Sequence, residues 1–150
     1  MKTFIVFLAL LLVFTSFLCY TSDMDRYVKL QNHLKALAED CACGCTLFAD
    51  ENEYSEGRLV IDENSACRYT DFLIREAVRN MPPLADGKVS ADITIYDDAK
   101  GYEGAAAQGF RSGLPGAVVT LVYTGPDMFR LPFLKVTKVT RTAVYQWEEY

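Results

Sequence analysis

Histidine is nearly missing from this chain: His33 is the only one among 150 residues. A multi-histidine metal site and a paired-histidine mechanism are thereby excluded. The sequence also contains no G-x-G-x-x-G, no Walker loop, no H-E-x-x-H and no G-x-S-x-G. It therefore marks no dinucleotide fold, phosphate cradle, zinc-protease helix or nucleophile elbow. The Gly- and Ala-rich stretch from Gly101 to Gly109 is too irregular to replace them. Carboxylates are plentiful, but a surface position is their default, and no pair stands out for acid–base work. His33 itself, between Asn32 and Leu34, reads as a partly exposed helix residue. With no nucleophile–base set in view, the chain is expected not to be an enzyme, with no catalytic residue, cofactor or resident metal.

Charge is scarce at the start. The first 22 residues hold one charged side chain, Lys2, so a net charge of −5 leaves −6 on the remainder. An acidic domain with scattered Lys and Arg excludes nucleic acid as the expected partner. Helix breakers are scarce there as well: no glycine precedes Gly44 and no proline precedes Pro82.

What the sequence has in abundance is apolar material, 51% of residues against 23% charged. That suffices for a packed core in one domain. Residues 4–20, FIVFLALLLVFTSFLCY, carry no charge at all. Crossing a bilayer takes about 20 apolar residues, with a usable range of roughly 17–25. The run is read as a membrane anchor within residues 1–22, with Phe4, Leu8, Leu11, Phe14 and Phe17 facing lipid. Lys2 precedes it, and Asp23 and Asp25 follow. The positive-inside tendency then leaves the N-terminus in the cytoplasm, and residues 23–150 form an extracytoplasmic domain of a single-pass cell-membrane protein. A cleaved signal peptide is the rival, but bulky Phe17, Leu18 and Tyr20 crowd the positions where small residues are needed. A wholly buried soluble helix is the third reading.

From Asp23 the period becomes that of an amphipathic helix. Tyr27, Leu30, Leu34, Leu37, Cys41, Cys45 and Phe48 recur at steps of three and four, a single apolar stripe. Anchor and stripe are expected to form one rod, fraying near Gly44 and residues 50–53. Residues 57–62 read as a short strand, and 66–80 as a second helix capped by Asn64 or Ser65. Its buried face is assigned to Tyr69, Phe72, Leu73, Ala77 and Met81, and Pro82–Pro83 stop it. Residues 88–97 alternate, with Val89, Ala91, Ile93 and Ile95 on one face. Residues 98–116 form a long loop, and 117–124 and 136–147 are two further strands. The fold class is therefore α+β: a long N-terminal helix and a second helix on a small antiparallel sheet. Leu34, Leu37 and Phe72 are expected where helices meet sheet.

Five cysteines complete the inventory. Cys41, Cys43 and Cys45 form C-A-C-G-C, Cys67 opens the second helix, and Cys19 closes the apolar run. Helical geometry puts Cys41 and Cys45 on one face and Cys43 nearly opposite, so a thiolate metal site needs a helix break at Gly44. Three readings stay open: a disulfide from Cys67 to Cys41 or Cys45, buried free thiols, and a metal site.

The pattern Asp25-Arg26-Tyr27-Val28-x-Leu30-Gln31-x-x-Leu34-x-x-Leu37-Ala38-x-Asp40-Cys41-Ala42-x-Gly44 after an apolar segment resembles the start of TadE/TadG-like proteins of the tight-adherence (Tad) pilus system. The C-terminal third is similar too: a strand at 118–123, Pro126-x-x-Phe129, Leu131-Pro132, then a strand at 138–145. The resemblance covers residues 4–48 and 116–147. It implies a pilin-like fold and a pseudopilin-like structural or assembly role without catalysis. The partners it implies are the lipid bilayer and other pilus or secretion-system membrane proteins, in homo- or hetero-oligomeric packing. The chain departs from the family in lacking a glutamate before Glu39, a glycine before Gly44 and a D-x-S-x-S motif. The alternative function is an exported, membrane-anchored ligand-binding or sensor-like domain using the loop 98–116.

Overall fold

The computed structural model describes residues 1–111, 113–131 and 133–147. In chain order it contains α1 (Lys2–Cys45), α2 (Glu51–Ser55), α3 (Glu63–Asn80), α4 (Pro82–Ala85), β1 (Lys88–Tyr96), a 3-10 turn (Ala105–Gln108), β2 (Gly116–Thr124) and β3 (Lys138–Gln146). The class is α+β, as expected. Helix α1 is one rod of 44 residues, because nothing in it removes a backbone N–H or relaxes the backbone before Gly44.

The three strands form an antiparallel sheet in the order β1-β2-β3. Val119 lies opposite Ile93 on one side and Ala143 on the other. Strand periodicity then sends Ile93, Ile95, Ala117, Val119, Leu121, Tyr123, Val139 and Ala143 to a single inner face. All of them pack in the main core with Leu30, Leu34, Leu37, Ala38, Cys41 and Cys45 of α1. The opposite face mixes threonines with apolar residues such as Val118 and Val144, and Thr120 and Thr142 hydrogen-bond across it at 3.0 Å. Of the inward set on β1, Ala91 is exposed. It borders an open groove between α3 and β1, since α3 leans mainly on α1.

Three expectations need correction. Residues 57–62 are not a strand. Only Ile61 bridges, to Ala49, and the N–H groups of Leu59 and Ile61 donate to the carboxylates of Asp98 (2.8 Å) and Asp97 (3.0 Å). The other backbone bonds of this segment are scattered, with the Leu59 and Val60 carbonyls accepting from the Asp98 and Asp50 N–H groups and the Asp62 N–H donating to the Phe48 carbonyl, so the segment is satisfied without a continuous strand ladder. Residues 50–53 are not a frayed end either: the Asp50 carboxylate accepts from the Asn52 and Glu53 N–H groups and starts α2. Likewise α3 begins earlier than expected, at Glu63. Its cap is Asp62, which accepts from the Asn64 N–H and the Ser65 hydroxyl.

The largest correction concerns the seat of α3. Its buried residues are Ala66, Thr70, Ile74 and Ala77, whereas Phe72 is 54% exposed. Tyr69, Leu73 and Met81 are half-buried. Small side chains let α3 approach α1 closely. The Cys45 thiol reaches the Thr70 hydroxyl at 3.3 Å, and the Tyr69 ring lies flush on Gly44. A Cβ at Gly44 would meet that ring at 2.1 Å. Gly44 thus serves this close contact, and α1 ends one residue beyond it, at Cys45, near where the sequence places its end.

These placements make three mutations diagnostic in thermal unfolding of the α+β domain. Leu37→Asp buries an unpaired carboxylate, at a cost of several kcal/mol, and abolishes the cooperative transition. Gly44→Ala gains up to about 1 kcal/mol of helix propensity but loses about 1–3 kcal/mol to overpacking, so the net change is destabilising. Phe72→Ser changes stability by less than about 0.5 kcal/mol.

Candidate functional site

Helix α1 changes environment between Tyr20 and Leu30. Residues 1–18 are exposed along their whole length; Phe4, Leu8, Leu11, Phe14 and Phe17 stand at 69%, 45%, 45%, 62% and 63%. The sheet side of α1 is buried from Leu30 onward. At the border sits Asp23, whose side chain is fully buried.

Asp23 is buried by residues 125–137, the connection from β2 to β3. A local network shapes this loop. The Gly125 N–H donates to the Thr137 carbonyl and the Met128 N–H to the Val136 carbonyl. The Asp127 carboxylate accepts from the N–H groups of Val136 (3.0 Å) and Phe129 (3.2 Å). Those bonds, Val136 first, hold its carboxyl below the usual carboxylate range by favouring the ionised form. The closed neck presents Phe129 and Arg130 to α1. The Phe129 ring sits between Tyr20 and Tyr27, with centroids 6.2 and 5.9 Å away. The Arg130 N–H donates to one Asp23 oxygen at 2.9 Å, and its side chain forms an ion pair with the other at 3.4 Å.

Further contacts keep the domain in register along the rod. Arg26 pairs with Asp86 at 3.6 Å. Arg141, inward on β3 opposite Leu121, donates to the Gln31 amide oxygen at 2.6 Å. At the far end the Trp147 indole N–H donates to the Thr46 carbonyl at 2.9 Å. The outer half of α1 is thus fastened at both ends, and no hinge lies between it and the apolar half.

The cysteines gather where α1 meets α3. Cys41 and Cys45 are buried, while Cys43 and Cys67 are half-buried, and all are free thiols in this structure. Burial, then Cys45 and Asp40, push the Cys41 thiol up to about 12. Burial also raises Cys45, partly offset by the Thr70 hydroxyl, and Cys67 adds to the rise. The Cys45 thiol also points at the Ala66 carbonyl at 4.0 Å, one residue from Cys67, and a disulfide from Cys67 to Cys41 or Cys45 is a proposal for oxidised protein. Among the described residues no three His, Cys, Asp or Glu side chains converge in a way that could hold a metal. His33 lies half-buried on α1.

Much of the loop 98–116 is filled by its own side chains. Ala105 and Phe110 pack on Val118 beside Tyr96 and Tyr102, and the Tyr96 and Phe110 rings meet edge to face at 5.3 Å. What remains beside it is an open hollow along Phe110, Arg111, Tyr145 and Trp147.

Sequence reasoning missed the Asp23 clamp. The sequence presents Asp23 as a flank of the apolar run and residues 126–129 as a connection. One signal was available: Asp23 lies on the same helical stripe as Tyr27, Leu30 and Leu34, where an acid demands a partner. No protein-family model, curated protein or solved structure matches the chain.

Two measurements check this geometry. Asp23→Ala should cost about 2 kcal/mol by stranding the Arg130 N–H, and Asp23→Asn less, because the mostly solvated Arg130 side chain screens the ion pair. Both should speed amide exchange in residues 126–136. In reduced protein at about pH 8, where only thiolates react, alkylation should reach Cys43 well before Cys41.

Proposed function

We propose that this chain is a non-enzymatic, membrane-anchored structural or assembly component, pseudopilin-like in the manner of the TadE/TadG proteins it resembles. One observation carries the reading: α1 is a single helix whose first 18 residues are exposed and whose outer half is the central core element of the domain. It is long and apolar enough to cross a membrane. An exposed apolar surface of that size needs lipid or protein to cover it.

The anchor spans the cell membrane with Lys2 inside and the domain outside. Its partners are the bilayer and other membrane proteins of a pilus or secretion apparatus. Docking with their helices relies on close packing, because lipid removes the hydrophobic drive between them. The rigid link lets a position fixed in the membrane set the position of the domain outside it. Beyond the anchor, Met24 and Val28 stay 39% and 42% exposed and extend the apolar surface toward neighbours.

The full-length protein should stay with membranes through carbonate washing; a soluble species starting near Thr21 would identify a cleaved signal instead. Photo-crosslinkers at Met24 and Val28 should capture a membrane protein or a second copy of the chain. Adducts with lipid alone would count against an assembly role.

A further inference from the structure

The apolar run of residues 4–20 is short. Seventeen residues at about 1.5 Å each make about 25 Å of helix, against about 30 Å of hydrocarbon. A short span draws its flanking residues toward the bilayer. The turn that follows holds Asp23, where residues 125–137 are fastened through Arg130 and Phe129. The loop is thus tied to α1 at the level where hydrocarbon gives way to headgroups.

Its composition suits that level. Residues 128–134 include Met128, Phe129, Leu131, Phe133 and Leu134. Residues 125–138 hold three basic side chains, Arg130, Lys135 and Lys138, against one acid, Asp127, within a domain that is acidic overall. Phe133 is 78% exposed, more than any apolar side chain of the anchor run, including Phe4 at 69%. The core does not use it: Phe129 carries the contact with α1, and Leu131 and Leu134 are half-buried around a turn closed by the Leu134 N–H to the Leu131 carbonyl. Lys135 and Lys138, two and five residues beyond Phe133 along the chain, are exposed.

We propose that the connection from β2 to β3, together with Lys138 at the start of β3, forms a second membrane-contacting element, in which Phe133 enters the bilayer interface and Lys135 and Lys138 face anionic lipid phosphates. Aromatic rings favour that zone, and exposed lysines gain from a negative lipid surface. The inference rests on the membrane-anchor reading. A second contact beside α1 restricts tilting and rotation of the rod, so the outer domain holds one orientation over the membrane.

The test uses intrinsic tryptophan fluorescence of full-length protein in phosphatidylcholine–phosphatidylglycerol vesicles, with lipids brominated near the headgroup end of the acyl chains. The native chain has one tryptophan, Trp147, hydrogen-bonded to Thr46. Thr46 lies about 35 Å along the rod from Asp23 at about 1.5 Å per residue, so Trp147 is an unquenched internal reference. Phe133→Trp and Phe17→Trp replace exposed residues and leave the core untouched. The emission added by each should fall about two-fold with brominated lipid, as expected of side chains at or below the interface. Quenching with Phe17→Trp but not with Phe133→Trp overturns the loop contact and leaves the anchor standing; it would turn Phe133 toward water or a protein. Quenching with neither removes the anchor reading and the loop contact together. Quenching of Trp147 itself would show the domain lying flat, which overturns the proposed orientation.

Discussion

Burial of one stripe of α1 against the inner face of the sheet holds the α+β domain together. Leu30, Leu34, Leu37, Ala38, Cys41 and Cys45 meet Val119, Leu121, Tyr123, Val139 and Ala143 in a continuous core. Three strands alone make a marginal sheet, with both edge strands unpaired among the described residues. Apolar burial at about 25 cal/mol per Å² supplies the missing stability only if α1 lies across the sheet. The remaining elements accept that constraint. α3 settles on the free flank of α1 through its small residues, and the β2–β3 connection closes over the exposed start of the stripe.

Aspartates do what regular structure leaves undone. Asp50 and Asp62 start helices. Asp97 and Asp98 hold the segment from Leu59 to Ile61. Asp127 shapes the β2–β3 connection, and Asp23 receives it. Each accepts backbone N–H groups that would otherwise lack partners. Asp62, through the Ser65 hydroxyl first, and Asp127, through the Val136 N–H first, are both held below the ordinary carboxylate range. Their stabilisation is complete above that ordinary range and disappears as pH falls through the lower folded values. Part of the chain's acidity is therefore internal scaffolding.

The two halves of α1 present different surfaces. Its first half presents apolar side chains all round, while its outer half presents one stripe to a protein core and charged pairs such as Asp25–Lys29 to water. An α-helix satisfies its own backbone in either medium, so the junction needs no special backbone geometry. What it needs is cover for the boundary residues, and Phe129 and Arg130 provide it. In the proposed role this matters because an uninterrupted helix transmits position, whereas a flexible linker would lose it.

Elements that depend on local periodicity could be read from the sequence. The uninterrupted α1, its stripe from Leu30 to Cys45, the alternation of β1 and the two later strands follow from spacing and from the lack of glycine and proline. So does the apolar start of α1, whose uncharged run of 17 residues makes the helix long and apolar enough to cross a membrane. Tertiary structure decided whatever depends on a partner distant in sequence. Phe72 looks like a core residue by composition, yet α3 seats on Ala66 and Thr70, because its neighbour is the narrow ridge at Gly44 and Cys45. Residues 59–61 look like a strand, yet carboxylates almost 40 residues away take their N–H groups. Asp23 looks like a solvated flank, yet Arg130, 107 positions later, makes it a buried clamp. Periodicity records which face of an element is apolar; the identity of what lies against that face is set only when the chain closes on itself.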